Sequence, residues 1–160
     1  MSMNLDQLEK YIIDPTLLHI GLYSPAASQL LMMTALAESN AEYVKQIGGG
    51  PAVGIFQMEP ATHDDCWTNY LNYKPELASL IRSLELPGLY GSKVGSAQEM
   101  AGNIYYATAM ARIKYLRDRH PLPEYNDIDA MARYHKRVYN SALGAADPAH
   151  TADLYRRFLG

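Results

Sequence analysis

The sequence predicts a mainly α-helical domain: a helical bundle around a long central helix, with one small β-hairpin. Most of the chain divides into apolar segments with helical spacing, and each segment begins with a capping residue or a proline. Residues 43–58 break this pattern, because they hold four of the eleven glycines around a short apolar stretch. No repeat, linker or low-complexity tract divides the chain, so we expect residues 1–160 to form one domain.

The first predicted helix covers residues 25–39. Ser24 followed by Pro25 has the order of an N-cap and a first-turn proline. Residues 43–58 are then expected to form a tight hairpin or an irregular loop, in which the backbone approaches another group closely. The apolar side chains that the helix offers for burial are Leu30, Leu31, Met33 and Leu36.

Capping-box patterns mark two later helices. Thr62 and Asp65 have this spacing ahead of residues 66–73, and residues 75–84 have the pattern of another short helix. The same spacing opens the longest periodic run, residues 97–117, which we expect to be the central helix; its capping residues are Ser96 and Glu99. Two more helices are expected, one after Asn126 and one from Asp147 and Pro148 through Leu159.

Composition excludes several classes of protein. A formal net charge of −3 and a pI near 5.9 argue against a nucleic-acid-binding protein, which needs a basic surface to meet phosphates. The N-terminus lacks the basic leader and cleavage site of a signal peptide, and no apolar run reaches the ~20 residues of a membrane span. Cys66, the single cysteine, cannot form an internal disulfide. No metal site is expected, because the possible ligands at 63–66 are consecutive helical residues that point in different directions.

Glu38 stands at the predicted end of the first helix, a few residues before the glycine-rich segment. The C-terminal end of a helix carries partial negative charge, which disfavours an ionised carboxylate, and apolar neighbours disfavour it further. A glutamate in this environment is a candidate general acid that keeps its proton near neutral pH. Position alone favours a different interpretation, a solvated glutamate at a fraying helix end.

Three motifs carry a resemblance to a known family. Residues 34–40, TALAESN, resemble the acid-bearing motif of soluble lytic transglycosylases and goose-type lysozymes, in which a helix ends in Glu-Ser and the glutamate is the catalytic acid. Residues 54–57 and 60–62 resemble that family's Gly-Leu-Met-Gln segment and Pro-Ala-Thr helix start. Residues 101–116 resemble its helix with Asn-Ile near the start and Tyr-Leu about a dozen residues later. The motifs occur in the family's order across roughly half the chain.

The family's fourth motif, Ala-Tyr-Asn-x-Gly, has a looser counterpart in residues 131–146. In the family this tyrosine sits near the catalytic glutamate, and two registers compete here. Tyr139 with Asn140 matches the dipeptide but follows a valine and lacks the immediate glycine, whereas Tyr134 has the helical context without the asparagine. We favour Tyr139.

The resemblance implies a lysozyme-like enzyme that cleaves the MurNAc-GlcNAc β-1,4 bond of peptidoglycan without a metal or organic cofactor. Glu38 would protonate the leaving oxygen. In lytic transglycosylases no second carboxylate is needed, because the substrate's N-acetyl group stabilises the cation and its C6 hydroxyl closes onto C1. We favour this reaction over a hydrolytic muramidase that would use Glu59, Asp64 or Asp65. The residues predicted to bind substrate, from the motifs and the tyrosines nearest to them, are Phe56, Gln57, Asn103, Tyr106, Tyr134, Tyr139 and Asn140.

The chain is also similar to the catalytic domains of phage endolysins and virion-associated lysins. The expected partner is therefore bacterial peptidoglycan, which a monomer made in the host cytoplasm would reach with a membrane-permeabilising partner or on a virus particle. The alternative from a different class is a peptidoglycan-binding module without catalysis. We interpret His135, beside Lys136 and Arg137, as a partly exposed residue of a basic surface, with a position in the cleft as the alternative.

Overall fold

A computed structural model of the protein confirms that it is mainly helical. The residues that the structure describes are 3–42, 44–86, 88–89, 95–140 and 144–159. Wider π-helical turns at Glu9–Ile13 and His135–Asn140 and a 3-10 turn at Leu71–Tyr73 join or extend the α-helices. The α-helices are α1 (Leu5–Leu8), α2 (Asp14–His19), α3 (Pro25–Ser39), α4 (Pro60–Asn69), α5 (Pro75–Arg82), α6 (Glu99–Gly102), α7 (Ile104–Leu116), α8 (Ile128–Tyr134) and α9 (Pro148–Leu159).

Helix α3 has the predicted bounds and lies in the core. The Ser24 hydroxyl accepts a hydrogen bond from the Ala27 N–H at 3.0 Å, as expected of an N-cap. Buried residues follow one another without a break from Ala27 to Leu36, which is the pattern of a helix surrounded by others. Asn40 is its C-cap residue, and the left-handed φ of 54° at Asn40 turns the chain away from the helix axis.

The predicted central helix is interrupted, which corrects the expectation of one run over 97–117. Its two parts are α6 and α7, and the chain between them is extended at Asn103. The Asn103 side chain accepts a hydrogen bond from the Tyr106 N–H and so caps α7. Helical spacing continued across this residue, so periodicity alone gave no sign of the break. Helix α7 contacts α2, α3 and α4 and remains the centre of the bundle.

Two other helix starts differ from the prediction. Helix α4 begins at Pro60, so Thr62 lies within the helix and the predicted capping box is wrong. Helix α6 begins at Glu99 without a side-chain cap, so the capping box expected at its start is wrong as well. Helices α5, α8 and α9 begin where they were expected, and Asp127 caps α8.

The glycine-rich segment contains isolated bridges in place of paired strands. Lys45 pairs with Val53, and Val53 pairs with Met58, both antiparallel. In the part of this segment that the structure describes, 44–58, these single bridges take the place of the regular hairpin that the sequence predicted. The segment is an irregular loop that folds back against the helices.

Residues 5–19, for which the sequence analysis made no helical prediction, form α1, α2 and the π-helical turn between them. Leu8, Ile13 and Leu17 are fully buried, so this segment covers one side of the core. Among the described residues, no helix is long and apolar enough to cross a membrane.

Candidate active site

A cavity of about 590 Å³ lies beside the last turn of α3. Glu38 lines it, and its side chain is only 14% exposed, so the carboxyl group is partly withdrawn from water. The lining is largely polar and offers both hydrogen-bond donors and acceptors. Its polar side chains, besides Glu38, include Gln46, Gln57, Glu59, Thr62, Lys114 and Asn140.

Ser39 connects the end of α3 to the irregular loop. Its hydroxyl donates a hydrogen bond to the Ile55 carbonyl at 2.6 Å, and both residues are buried. Because Ser39 directly follows Glu38, this bond holds the loop at a defined place next to the carboxyl group. The serine that follows the glutamate in the sequence motif is therefore the residue that anchors the loop.

The loop presents Gln57 to the cavity through two residues with positive φ. Gly54 has a φ of 81°, and a Cβ atom there would lie 2.5 Å from the Met100 carbonyl oxygen, so only glycine fits. Gln57 has a φ of 49°, and its side-chain amide donates to the Gly54 carbonyl at 2.9 Å. This is the close backbone approach that the glycine-rich sequence predicted, with α6 as the neighbour.

The π-helical turn His135–Asn140 lies against Glu38. His135 Nε2 is 2.9 Å from Glu38 Oε1, and the Asn140 side-chain amide donates to the same oxygen at 3.3 Å. The side-chain oxygen Oδ1 of Asn140 accepts from Lys136 Nζ and from the Ala146 N–H, which leaves the amide NH₂ to face Glu38. Two groups from one turn therefore hold one carboxyl oxygen.

Gly144 lies close to this turn. A Cβ atom at Gly144 would be 2.1 Å from Asn140 Oδ1 and 2.5 Å from the Asn140 carbonyl oxygen. A glycine is thus needed four residues after Asn140. In the motif of the family that the sequence resembles, the glycine follows the asparagine by two residues.

Tyr139 forms the wall of the cavity behind Glu38. Its hydroxyl donates to the Phe56 carbonyl at 2.8 Å, and its ring stacks on Tyr115 and on His135. Burial raises the pKa of Tyr139 well above its usual value, and the nearby charge of Glu38 raises it further. The phenol therefore stays neutral and acts as a hydrogen-bond donor.

Lys114 contributes a cation to the same cavity. Its ammonium group lies 4.1 Å from the centre of the Tyr139 ring and donates to the Tyr139 carbonyl. Burial lowers the pKa of Lys114, while the negative charges of Glu38 and Glu59 raise it. The amino group is thus in electrostatic contact with both acids of the cavity.

A second cavity, of about 540 Å³, adjoins the first. Glu38, Asn140 and Ala145 line both, so the Glu38 carboxyl group lies where the two meet. Asp147 and His150, near the start of α9, line only the second cavity. A chain-like ligand that occupied both cavities would pass the carboxyl group in its middle.

The structure brings together four of the residues that the sequence singled out: Glu38, Gln57, Tyr139 and Asn140 all line the first cavity. Of the two competing tyrosines, Tyr139 is the one in this lining. Tyr134 instead stacks on Tyr115 and donates its hydroxyl hydrogen to Asp118.

The other predicted binding residues are placed in the core, and their side chains do not line the described cavities. Phe56 is 1% exposed, and it is its backbone carbonyl that meets Tyr139. Asn103 donates to the Leu84 carbonyl and to Glu99 while it caps α7. The Tyr106 hydroxyl is enclosed by other side chains, those of His63 and Trp67, at 2.7 and 2.9 Å.

His135 corrects a further expectation. Its side chain is fully buried and bonded to Glu38, so it is not a partly exposed member of a basic surface. The neighbouring Lys136 donates to Asn140 and to the Gly144 carbonyl and so supports the site. The spacing of four between His135 and Tyr139 was the available sequence signal, since it places both on one side of a helix.

Among the candidate second acids, Glu59 alone lines the cavity with Glu38. Asp64 is bonded to His63, and Asp65 is paired with Arg117 at 2.6 Å, whose hydrogen bond holds the pKa of Asp65 below its usual range. In the part of the chain that the structure describes, no three His, Cys, Asp or Glu side chains are placed to hold a metal ion. Comparisons with protein-family models, with curated proteins and with solved structures find no match.

Proposed function

We propose that this protein is a lysozyme-like enzyme that cleaves the glycan strands of peptidoglycan, with Glu38 as the general acid. The observation that supports this most is the position of the Glu38 carboxyl group. It lies where two cavities meet, largely shielded from water, with one oxygen held by two hydrogen-bond donors. A glycan strand that spans both cavities would present a glycosidic oxygen to the other oxygen of Glu38.

The reaction requires two proton transfers, the first from Glu38 and the second back to it. Glu38 donates its proton to the glycosidic oxygen as the bond from that oxygen to C1 of MurNAc breaks. The carbonyl oxygen of the substrate's own N-acetyl group stabilises the positive charge at C1. The MurNAc C6 hydroxyl then bonds to C1, and ionised Glu38 takes the hydroxyl proton. Glu38 returns to its starting state and the product is a 1,6-anhydro end.

Substitution of Glu38 by Gln tests the assignment. We expect Glu38→Gln to reduce the release of soluble muropeptides from purified peptidoglycan at least ~100-fold, the contribution expected of a general acid. Glu76→Gln is the matched control, because Glu76 is an exposed residue of α5 and does not line either cavity. Retention of more than about a tenth of the rate by Glu38→Gln would refute the role of Glu38. Wild-type protein that sediments with peptidoglycan and releases nothing would instead identify a binding module.

A hydrolytic muramidase is the second candidate, and the position of Glu59 in the same cavity favours it. Glu59 would then activate a water molecule. Mass spectrometry of the new ends separates the two reactions, because an anhydro end is lighter by one water than a reducing MurNAc end. We expect anhydro ends and a Glu59→Gln variant that retains activity. Reducing ends, together with loss of activity in Glu59→Gln, would establish the muramidase.

We further propose that the protein acts as a phage endolysin. Added from outside to Gram-negative cells, it would then lyse them only after the outer membrane has been permeabilised. Turbidity measurements on intact and permeabilised cells test this, and mass spectrometry of purified virus particles separates a free endolysin, absent from them, from a particle-borne lysin.

A further inference from the structure

We propose that His135 is the positioning residue for Glu38, and that it makes Oε1 the hydrogen-bond acceptor and leaves Oε2 to transfer the proton. This inference rests on the proposed function for its catalytic consequence, whereas the hydrogen bond itself can be tested without any activity. His135 is fully buried, and its Nε2 atom lies 2.9 Å from Glu38 Oε1.

The other ring nitrogen determines which partner donates. Among the described residues, His135 Nδ1 is buried and has no hydrogen-bond partner. A buried N–H without an acceptor costs more than a buried lone pair without a donor, so the proton is disfavoured on Nδ1. Neutral His135 therefore carries its proton on Nε2 and donates it to Glu38 Oε1.

Asn140 donates to the same oxygen, which settles the roles of the two carboxyl oxygens. With two N–H groups directed at Oε1, a proton on Glu38 cannot also occupy that atom. The acid proton is therefore carried on Oε2. After this proton has been transferred, both donors remain on the ionised carboxylate, where hydrogen bonds to a charged group are stronger.

The π-helical turn is what brings the two donors together. His135 and Asn140 are five residues apart, and in an α-helix that spacing would direct their side chains about 140° away from each other. The wider turn with i to i+5 bonding brings them to the same side. The Tyr139 ring stacks on His135 at an interplanar angle of 19° and holds the imidazole in plane. The π-helical turn therefore directs both donors at the same carboxyl oxygen of Glu38.

Enzyme kinetics test the catalytic consequence. We expect His135→Leu to lower kcat about 10- to 100-fold, the loss expected for one hydrogen bond to a charged group, with KM nearly unchanged. His135→Gln can place an amide N–H near the position of Nε2 and is expected to restore kcat to within about threefold of wild type. His63 provides the matched control, because it is also a fully buried histidine but bonds to Tyr106 away from the cavity. His63→Gln is expected to leave kcat per folded molecule unchanged.

Nitrogen-15 NMR of the histidine side chains tests the hydrogen bond in the wild-type protein, whether or not the variants fold. We expect protonated Nε2 and unprotonated Nδ1 for His135, and a shift of these signals in Glu38→Ala. A proton on Nδ1 at neutral pH would overturn the inference, as would an active wild type whose His135→Leu variant keeps full kcat. If the tautomer is as expected but the wild type does not act on peptidoglycan, the proposed function fails and the positioning of Glu38 stands.

Discussion

Removal of the Ser39 hydroxyl should destabilise the protein and displace the loop beside Glu38. The hydroxyl donates to the Ile55 carbonyl at 2.6 Å, and Ile55 is 2% exposed, so water cannot easily replace this donor. Loss of a partner by a buried polar group costs about 1–3 kcal/mol. Alanine has a higher helix propensity than serine, which returns about 0.5 kcal/mol. We therefore expect Ser39→Ala to lower the free energy of unfolding by about 0.5–2.5 kcal/mol.

Urea unfolding, followed by circular dichroism, measures this change. Ser79→Ala is the matched control, because Ser79 is an exposed residue within α5. That control should change the free energy of unfolding by less than ~0.5 kcal/mol, as is usual for surface substitutions. In the enzyme assay Ser39→Ala should raise KM, since Gln57 is on the loop that Ser39 holds. Equal stability of Ser39→Ala and wild type would refute the claim that this bond anchors the loop.

Three further predictions concern buried polar groups. Tyr139→Phe leaves the Phe56 carbonyl without its 2.8 Å donor and should cost about 1–3 kcal/mol in urea unfolding; an unchanged midpoint would contradict this. Burial lowers the pKa of His63 from its ordinary value of 6.5. Below pH 6.5 the unfolded chain therefore binds a proton that the folded protein does not, and the free energy of unfolding should fall by at most ~1.4 kcal/mol per pH unit, whereas above pH 6.5 this loss is absent. Between pH 7.5 and 5.5 the free energy of unfolding should depend less on pH in His63→Gln than in wild type, and equal slopes of the two curves would refute the role of His63. Asn103→Ala should cost about 0.5–2 kcal/mol by loss of the cap, with kcat and KM per folded molecule unchanged; a selective rise in KM would show that Asn103 binds substrate after all.

The start of a helix was predictable where it depends only on residues that are neighbours in the sequence. The Ser24-Pro25 pair opened α3 as expected, because an N-cap and a first-turn proline satisfy the first N–H groups of a helix without help from the rest of the chain. The break at Asn103 was not foreseen. It depends on the Leu84 carbonyl, which accepts a hydrogen bond from the Asn103 amide and lies 19 residues earlier in the chain. Helical periodicity carries no information about such partners.

The same division applies to the site. Glu38, Gln57 and Tyr139 were found because each belongs to a contiguous motif in the sequence. His135 was misinterpreted because its charged neighbours predicted an exposed surface. The π-helical turn that contains it instead packs it against Glu38, which lies 97 residues earlier in the chain. Asn103 and Tyr106 were chosen by their motif, yet their polar groups are used within the core.

The central claim is that this chain cuts glycan strands with Glu38 as the acid, and analysis of the ends created in purified peptidoglycan tests it most directly. We predict that wild-type protein generates new MurNAc ends without new free amino groups, and that Glu38→Gln at the same concentration generates neither. New amino groups would show cleavage of the peptide stems instead. An equal yield of MurNAc ends from Glu38→Gln would contradict the assignment of the acid.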